Sequence, residues 1–390
     1  MSHSPHQDDL SFPPGGAVEL IAIEHHADRF LKIHEVLAIT RVVRLESSPH
    51  AIVSSVSKVY SLDDRWLIAD RKSAQVKAFG SEGQHMYDVG SVGKGPGEWL
   101  SIGSLDYDPG SDQLAIFSDK DTRLNLYRAD GTWIKDLRPR FFAAEIAMLA
   151  SDRWAFLTKY NESELSQAYN LLFTDANLEI VSRHMPYNNS KPKTAYQGCG
   201  FIMRQPDGQS FLLQEPLNDT IFGWQADTLR PKYRLDFGED AFPEEEKGLM
   251  QYLVTEKAMD YAYQTGPAWE LDDYLLFRII KERRQQVQVW DRSTGRLYGP
   301  DQFDAPLLAS LVFRPVGSTT EGEWIIGLTP EDVDPQFAQN DPYPYRSRVA
   351  TQTRAYLQAH YPEVFAQLAD WQEDDNYALL CVRLTLPGTE

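Results

Sequence analysis

Five times this chain writes the same short phrase: an apolar stretch ending in an aromatic, then a tight acidic or glycine turn. The phrases are Val76-Lys77-Ala78-Phe79 before Ser81-Glu82-Gly83, and Leu124-Asn125-Leu126-Tyr127 before Ala129-Asp130-Gly131. Leu171-Leu172-Phe173 precedes Asp175-Ala176-Asn177, and Ile221-Phe222-Gly223-Trp224 precedes Ala226-Asp227. Val287-Gln288-Val289-Trp290 precedes Ser293-Thr294-Gly295. Repetition at this scale means stacked copies of one supersecondary unit, each unable to bury its apolar face alone.

The first copy defines the unit. Residues 52–61 read as a strand, 61–64 as a turn, and 65–70 as a second strand with Trp66 and Ile68 alternating. Residues 75–80 make a third strand and 85–90 a fourth. The next copy falls into register, Ile68 on Ile116, Val76 on Leu124, Phe79 on Tyr127 and Gly83 on Gly131. Four short antiparallel strands in roughly 40–50 residues is the length of a β-propeller blade. Looser copies follow from 144 to 184, around the turn Pro206-Asp207-Gly208-Gln209, and around Leu271-Asp272-Asp273. A sixth is read as a strand at 307–315, a turn through 317–322 and a strand at 323–328.

The sixth copy then breaks off, and its third strand returns only at 377–386. Its missing fourth strand is supplied by Thr40-Arg41-Val42-Val43-Arg44-Leu45-Glu46 near the start, which closes the ring and removes open sheet edges. The expected fold is therefore all-β: a six-bladed β-propeller of four-stranded antiparallel blades, closed by N- and C-terminal strands, with two helical insertions on one face. Residues 1–35 read as a partly disordered arm and 36–390 as the propeller, with insertions at 238–265 and 329–376.

Because consecutive strands alternate in direction, loops between second and third strands share one face with loops between blades. The tight turns fall on the opposite face, and every long segment falls on this one. Helical spacing in the insertions comes from Leu249, Tyr252, Leu253, Met259 and Tyr263, and from Val349, Tyr356, Leu357, Phe365, Leu368 and Trp371, with a break at Pro362. These segments read as rim packing or as a partial lid. Elaborated loops on a rigid scaffold are where binding usually sits.

A net charge of −19 argues against a general nucleic-acid binder and against adsorption to an anionic membrane surface. Cys199 and Cys381 are the only cysteines, too few for a disulfide framework or a zinc site unaided. No apolar run is long enough to span a bilayer.

The phrase Val89-Gly90-Ser91-Val92-Gly93-Lys94-Gly95-Pro96-Gly97-Glu98-Trp99 resembles the interblade motif of the six-bladed, NHL-repeat-like propellers of Bacteroidetes. So do Asn218-Asp219-Thr220-Ile221-Phe222 and Pro231-Lys232-Tyr233-Arg234-Leu235-Asp236-Phe237-Gly238, with the terminal strands around Val43 and Leu379. The resemblance runs from about residue 36 to the end. It implies an exported protein, periplasmic or at the cell surface and associated with the outer membrane, commonly a lipoprotein anchored on its native precursor. The family carries no generally established activity and no agreed catalytic residues.

The glycines at 93–97 lack the Lys-Ser/Thr ending and following helix of a phosphate loop, so they read as a tight crossing between blades. Lys94, Glu98 and Trp99 stand beside the expected channel mouth. The second-to-third-strand hairpins carry Arg71, Lys72, Lys120, Arg123, Lys159, Lys281, Arg283 and Arg284. They suit a carboxylate-bearing sugar or peptide, and equally read as solvated tips diluted by Asp70, Asp119, Asp121 and Glu282. Phe141, Phe142, Tyr196, Tyr263 and Trp269 read as ring platforms or as core. The candidate ligand-binding set is Lys94, Glu98, Trp99, Arg123, Tyr196, Trp269, Arg283 and Arg284.

The expected function is non-enzymatic binding of a glycan, peptide or envelope protein at the loop-rich face, with no cofactor and no catalytic residue. The alternative is a metal-dependent hydrolase or lyase, with Ca2+ held by Glu98, Glu145 and Glu270 in the central channel.

Overall fold

A computed structural model of the chain describes residues 18–23, 30–150, 152–187, 201–215, 218–225, 227–243, 260–340 and 344–387. Its strands form six sheets in a closed ring, with one further two-stranded ribbon at Ser91–Val92 and Glu98–Trp99. Blade one is Lys58–Ser61, Arg65–Asp70, Gln75–Gly80 and His85–Val89. Blade two runs Ser104–Asp108, Gln113–Ser118, Arg123–Arg128 and Trp133–Leu137. Blade three holds Glu145–Ala150, Arg153–Leu157, Tyr169–Asp175 and Ile180–Pro186. Blade four holds Ile202–Arg204, Phe211–Gln214, Thr220–Gln225 and Thr228–Asp236.

In blade five the first strand is split into Tyr263–Gln264 and Trp269–Leu271, both paired to Tyr274–Lys281; Arg284–Asp291 and Arg296–Tyr298 complete it. Blade six is Gly317–Ser318, Trp324–Leu328, Ala378–Leu384 and, from the other end of the chain, Leu37–Arg44. Val43 pairs with Leu379 and Ile39 with Val382, so the ring is zipped shut as expected.

The middle strands bury both faces, and this explains why they read as apolar runs rather than clean alternations. In Gln113–Ser118, Leu114 and Ile116 pack toward blade one while Ala115 and Phe117 pack toward blade three. One apolar cluster fills each of the six seams between neighbouring blades. Each buried Leu, Ile or Phe is worth about 1.5–3 kcal/mol relative to exposure.

The repeated aromatic now has a place. Phe79, Tyr127, Trp224 and Trp290 each face the seam with the preceding blade. In blade three Thr174 takes that register, and Phe173, one residue earlier, turns the other way to meet Trp224 at 4.7 Å between ring centres.

One strand assignment is corrected. Residues 307–315 are not a strand: Pro306–Val312 is a helix that buries Leu308, Ala309 and Val312. A short, mostly apolar run does not distinguish the two structures, and the helix signal is Pro306 at its first position. With Ile33–Val36 as α1 and this helix as α2, the insertion after blade six's second strand adds α3 (Pro330–Val333), α4 (Pro344–His360) and α5 (Pro362–Leu368). Helix α4 packs on α2, α3 and α5, all reached from loops of the elaborated face. Of the other expected insertion, residues 244–259 lie outside the described residues.

The segment before residue 36 is more than a loose arm. Glu19–Ala22 adds a parallel fifth strand to the outer edge of blade four. Leu31, Ile33 and Val36 are buried in the seam cluster of blades five and six. His34 stacks on His360 with ring centres 3.8 Å apart, and its Nδ1 lies 2.9 Å from the Tyr356 hydroxyl.

Candidate functional site

The carboxylates expected to converge on a metal in the channel are tied to three different structures. Glu145, only 4 % exposed, accepts from the backbone N–H of Phe201 (2.8 Å) and Ile202 (3.1 Å) and pairs with Lys159 at 2.9 Å. It therefore bonds blade three to blade four. Glu270 accepts from the Tyr233 hydroxyl and pairs with Lys232 at 2.6 Å. Glu98 accepts from the N–H of Gly95 at 2.6 Å. Among the described residues no three His, Cys, Asp or Glu side chains are grouped to hold a metal ion. The calcium set read from the sequence is thus replaced by three interblade or loop fastenings.

The glycine-rich crossing explains four candidates at once. Trp99 is fully buried, donates Nε1–H to the carbonyl of Ala74 at 2.8 Å and meets Tyr127 edge-on at 5.9 Å. Arg123, 6 % exposed, donates to the carbonyls of Gly95 (2.6 Å), Glu98 (3.1 Å) and Lys94 (3.3 Å). The Tyr127 hydroxyl donates to the carbonyl of Gly97, whose φ of 70° favours glycine. A Cβ on Gly93 would sit 2.1 Å from the Glu98 carboxylate, so the loop closes around that side chain only because no Cβ intervenes. Trp99, Glu98 and Arg123 therefore build the loop; of the four, Trp99 and Arg123 are buried, Glu98 is half-buried and Lys94 is exposed.

The remaining candidates scatter. Trp269 is 4 % exposed in the blade five–six seam, a core residue. Arg283 and Arg284 are exposed on the blade-five hairpin, where Arg283 Nε donates to Asp260 at 2.9 Å. Tyr196 and Cys199 lie outside the described residues. Phe141 and Tyr263 are buried, and Phe142 is exposed.

What the fold assembles instead is a cleft of about 570 Å³ on the elaborated face, at the junction of blades six and one. Helices α2, α3 and α4 wall it, and Gly327, residues 329–332, Glu373, Asp375 and Tyr377 line it from the insertion's two ends. Lys72 and Ser54 enter from blade one, Arg314 from the end of α2, and Tyr345 and Arg346 from α4. Arg346 pairs with Glu331, and Asp375 with Arg44 of the closing strand at 3.3 Å. Lys72 and Arg314 are exposed, and no carboxylate among the described residues lies within ion-pair distance of either.

On the cleft wall, Asp332 Oδ2 accepts from the N–H (2.9 Å) and the hydroxyl (2.8 Å) of Thr329. This capping box starts α3. Burial holds the Asp332 carboxyl above the usual carboxylate range, against the pull of those hydrogen bonds and of Arg346. Burial and the nearby Asp332 charge likewise push the Tyr377 phenol up. Among the described residues the cleft thus offers two cations without a carboxylate partner, two phenol rings and several carboxyl groups. Of its residues the sequence reading had singled out Lys72 as a hairpin cation. The rest are brought together by a return from residue 328 to 377 that no local pattern announces, though Thr329-Pro330-Glu331-Asp332 is a legible helix start.

The family model for a domain of unknown function, DUF4934, matches residues 21–383. The chain belongs to the DUF4934 family. Among solved structures it is similar to a Bacteroides fragilis protein inferred to be exported, at 17% identity and a TM-score of 0.73, covering 95% of this chain and 100% of that one. It is also similar to a DUF4221 family member from Bacteroides vulgatus, at 10% identity and a TM-score of 0.51, covering 90% and 98%. At these identities the likeness speaks for the fold, and it agrees with the resemblance to Bacteroidetes propellers. Among curated proteins no sequence matches. No described helix is long and apolar enough to cross a membrane.

Proposed function

We propose that this DUF4934 propeller is a non-enzymatic binding protein of the bacterial cell envelope, holding a glycan or peptide, free or on an envelope protein, in the cleft beneath its helical insertion. The observation that carries this reading is the cleft itself: about 570 Å³ on the elaborated face, where Lys72 and Arg314 have no carboxylate partner among the described residues in a chain of net charge −19. Free cations beside phenol rings suit a saccharide or peptide bearing carboxylates, because an Arg fork matches a carboxylate and a ring face covers apolar patches of a sugar. Similarity to a Bacteroides fragilis protein inferred to be exported supports the periplasm or cell surface as its place. The channel gives a hydrolase or lyase no comparable support, because Glu145 and Glu270 are already bonded to neighbouring blades.

The test is an array of glycans and peptides probed with the whole chain, followed by titration of each hit against Arg314→Gln, Lys72→Met and Tyr345→Ala. Hits weakened by the cleft variants support the reading. Hits indifferent to all three variants, or an empty array, would sink it.

A further inference from the structure

The charges around the innermost strands do not balance. Arg204 is matched by Asp106 at 2.6 Å, with Asp108 at 3.6 Å, and Lys159 by Glu145 at 2.9 Å. Two cations of blade one are left over. Lys58 opens the innermost strand and is half-buried. Its Nζ donates to the carbonyl of Leu105 at 3.3 Å and lies 5.0 Å from the centre of the Tyr60 ring. Arg71 sits at the adjacent hairpin, also half-buried, and gives its Nε–H to the carbonyl of Ile102 at 2.9 Å. Among the described residues neither has a carboxylate within ion-pair distance.

Both cations thus rest on neighbouring carbonyls of the segment entering blade two, at the elaborated end of the inner strands. The acids whose fields reach Lys58 are Asp106 and Glu145, and both are committed elsewhere. Burial pushes the Lys58 ammonium down from its ordinary pKa; Asp106 and Glu145 raise it, and Arg204 and Arg71 lower it further. Two partly desolvated cations that repel each other, with no carboxylate among the described residues in direct contact, are stabilised by whatever anion can reach them.

We infer that Lys58 and Arg71 form an oxyanion site at the mouth of the central channel, taking a carboxylate or phosphate group of a ligand that enters from the elaborated face. Lys58 supplies a point charge and Arg71 a planar donor pair, the combination that grips two oxygens of one group. The Tyr60 ring and the Leu105 carbonyl fix the lysine stem, so the ammonium is already placed before an anion arrives. The site is separate from the cleft, which Lys72, the next residue along, lines instead.

The whole chain is titrated calorimetrically with inorganic phosphate and with malonate at low ionic strength, as wild type, Lys58→Met, Arg71→Gln and the exposed control Lys120→Gln. Wild type and control should bind at least one probe, and each of the other variants should lose roughly tenfold in affinity, the value of one charge-assisted hydrogen bond. Preference for malonate points to a carboxylate source, preference for phosphate to a phosphate one. Should either variant misfold, saturating probe must raise the titration midpoint of the wild-type Lys58 ammonium followed by NMR. No binding of either probe, wild-type affinity in Lys58→Met or Arg71→Gln, or an unmoved midpoint overturns the site.

Discussion

Arg204 of blade four reaches across blade three to grip Asp106 of blade two, Nε to Oδ1 at 3.1 Å and Nη2 to Oδ2 at 2.6 Å. On the way its Nη2 also donates to the carbonyl of Met148 at 2.6 Å, and Asp106 Oδ2 accepts from the Met148 N–H at 2.8 Å. Three blades are thereby locked at their inner edges by one buried pair. Neighbouring seams repeat the device with other groups: the Tyr60 hydroxyl to the carbonyl of Leu105 at 3.0 Å, and the Glu270 N–H to Gln205 at 2.8 Å.

Arg204→Met should destabilise the fold by roughly 3–5 kcal/mol, because it strands a buried carboxylate. Replacing both partners, Arg204→Met with Asp106→Leu, should recover most of that loss. Urea unfolding of the single and double variants measures it, and a double variant no better than the single would refute the stranded-charge account.

Asn376 is the clasp of the ring. It is 2 % exposed, donates to the carbonyls of Glu46 (2.8 Å) and Ala51 (2.9 Å), and accepts from the Val53 N–H at 3.1 Å. These bonds tie the closing strands to the crossing into blade one. Asn376→Ala is expected to cost about 2–3 kcal/mol by leaving buried backbone groups unpaired. Hydrogen exchange should show the Leu37–Arg44 strand opening first; uniform protection loss across all blades would contradict a local clasp.

Cys381 lies in the third strand of blade six, 1 % exposed, its pKa pushed up to about 12 by burial and then by the Glu323 charge. An unfolded cysteine titrates near 8.5, so only opening of the closing blade yields thiolate at pH 8. In a Cys199→Ser background, labelling by an aromatic disulfide reagent should track global unfolding as denaturant is added. Prompt labelling of native protein would show that blade six opens on its own.

Asp332 carries a pH signature. Burial raises its folded pKa above the ordinary aspartate value of 3.8, so the native state holds the proton more tightly than the unfolded chain. The resulting destabilisation is full above the raised value and disappears as pH falls through it toward 3.8. Asp332→Asn keeps an oxygen for Thr329 while removing the charge, so it should match or exceed wild-type stability at neutral pH. That advantage should shrink in acid. Thermal unfolding across this range decides it, and a variant weaker by more than about 1 kcal/mol at neutral pH would mean the cap needs a carboxylate.

Lys94, Glu98 and Trp99 are legible as neighbours beside a blade crossing and Arg123 as a hairpin cation, and the structure brings Arg123 onto that crossing. Sequence placed them correctly along the chain but carried no information on which partner would cover them. Arg123 looks like a hairpin cation until three carbonyls of the 94–98 loop are seen converging on it. Residues 307–315 differ for another reason, since a short, mostly apolar run satisfies a buried strand and a buried helix alike.

Strand period, turn residues and the recurrence of the aromatic phrase are local properties, and they determined the blade, the number of copies and the splice of the two termini. Which cations stay unpaired, which acids become rivets and where a cleft opens are decided only when blades meet. Those outcomes depend on contacts such as that of Asp106 with Arg204, and on residues such as Lys72 and Arg314 reaching one cleft, far apart in sequence and related by no periodicity. Desolvation and pairing are properties of the seam, and a seam exists only in the closed ring.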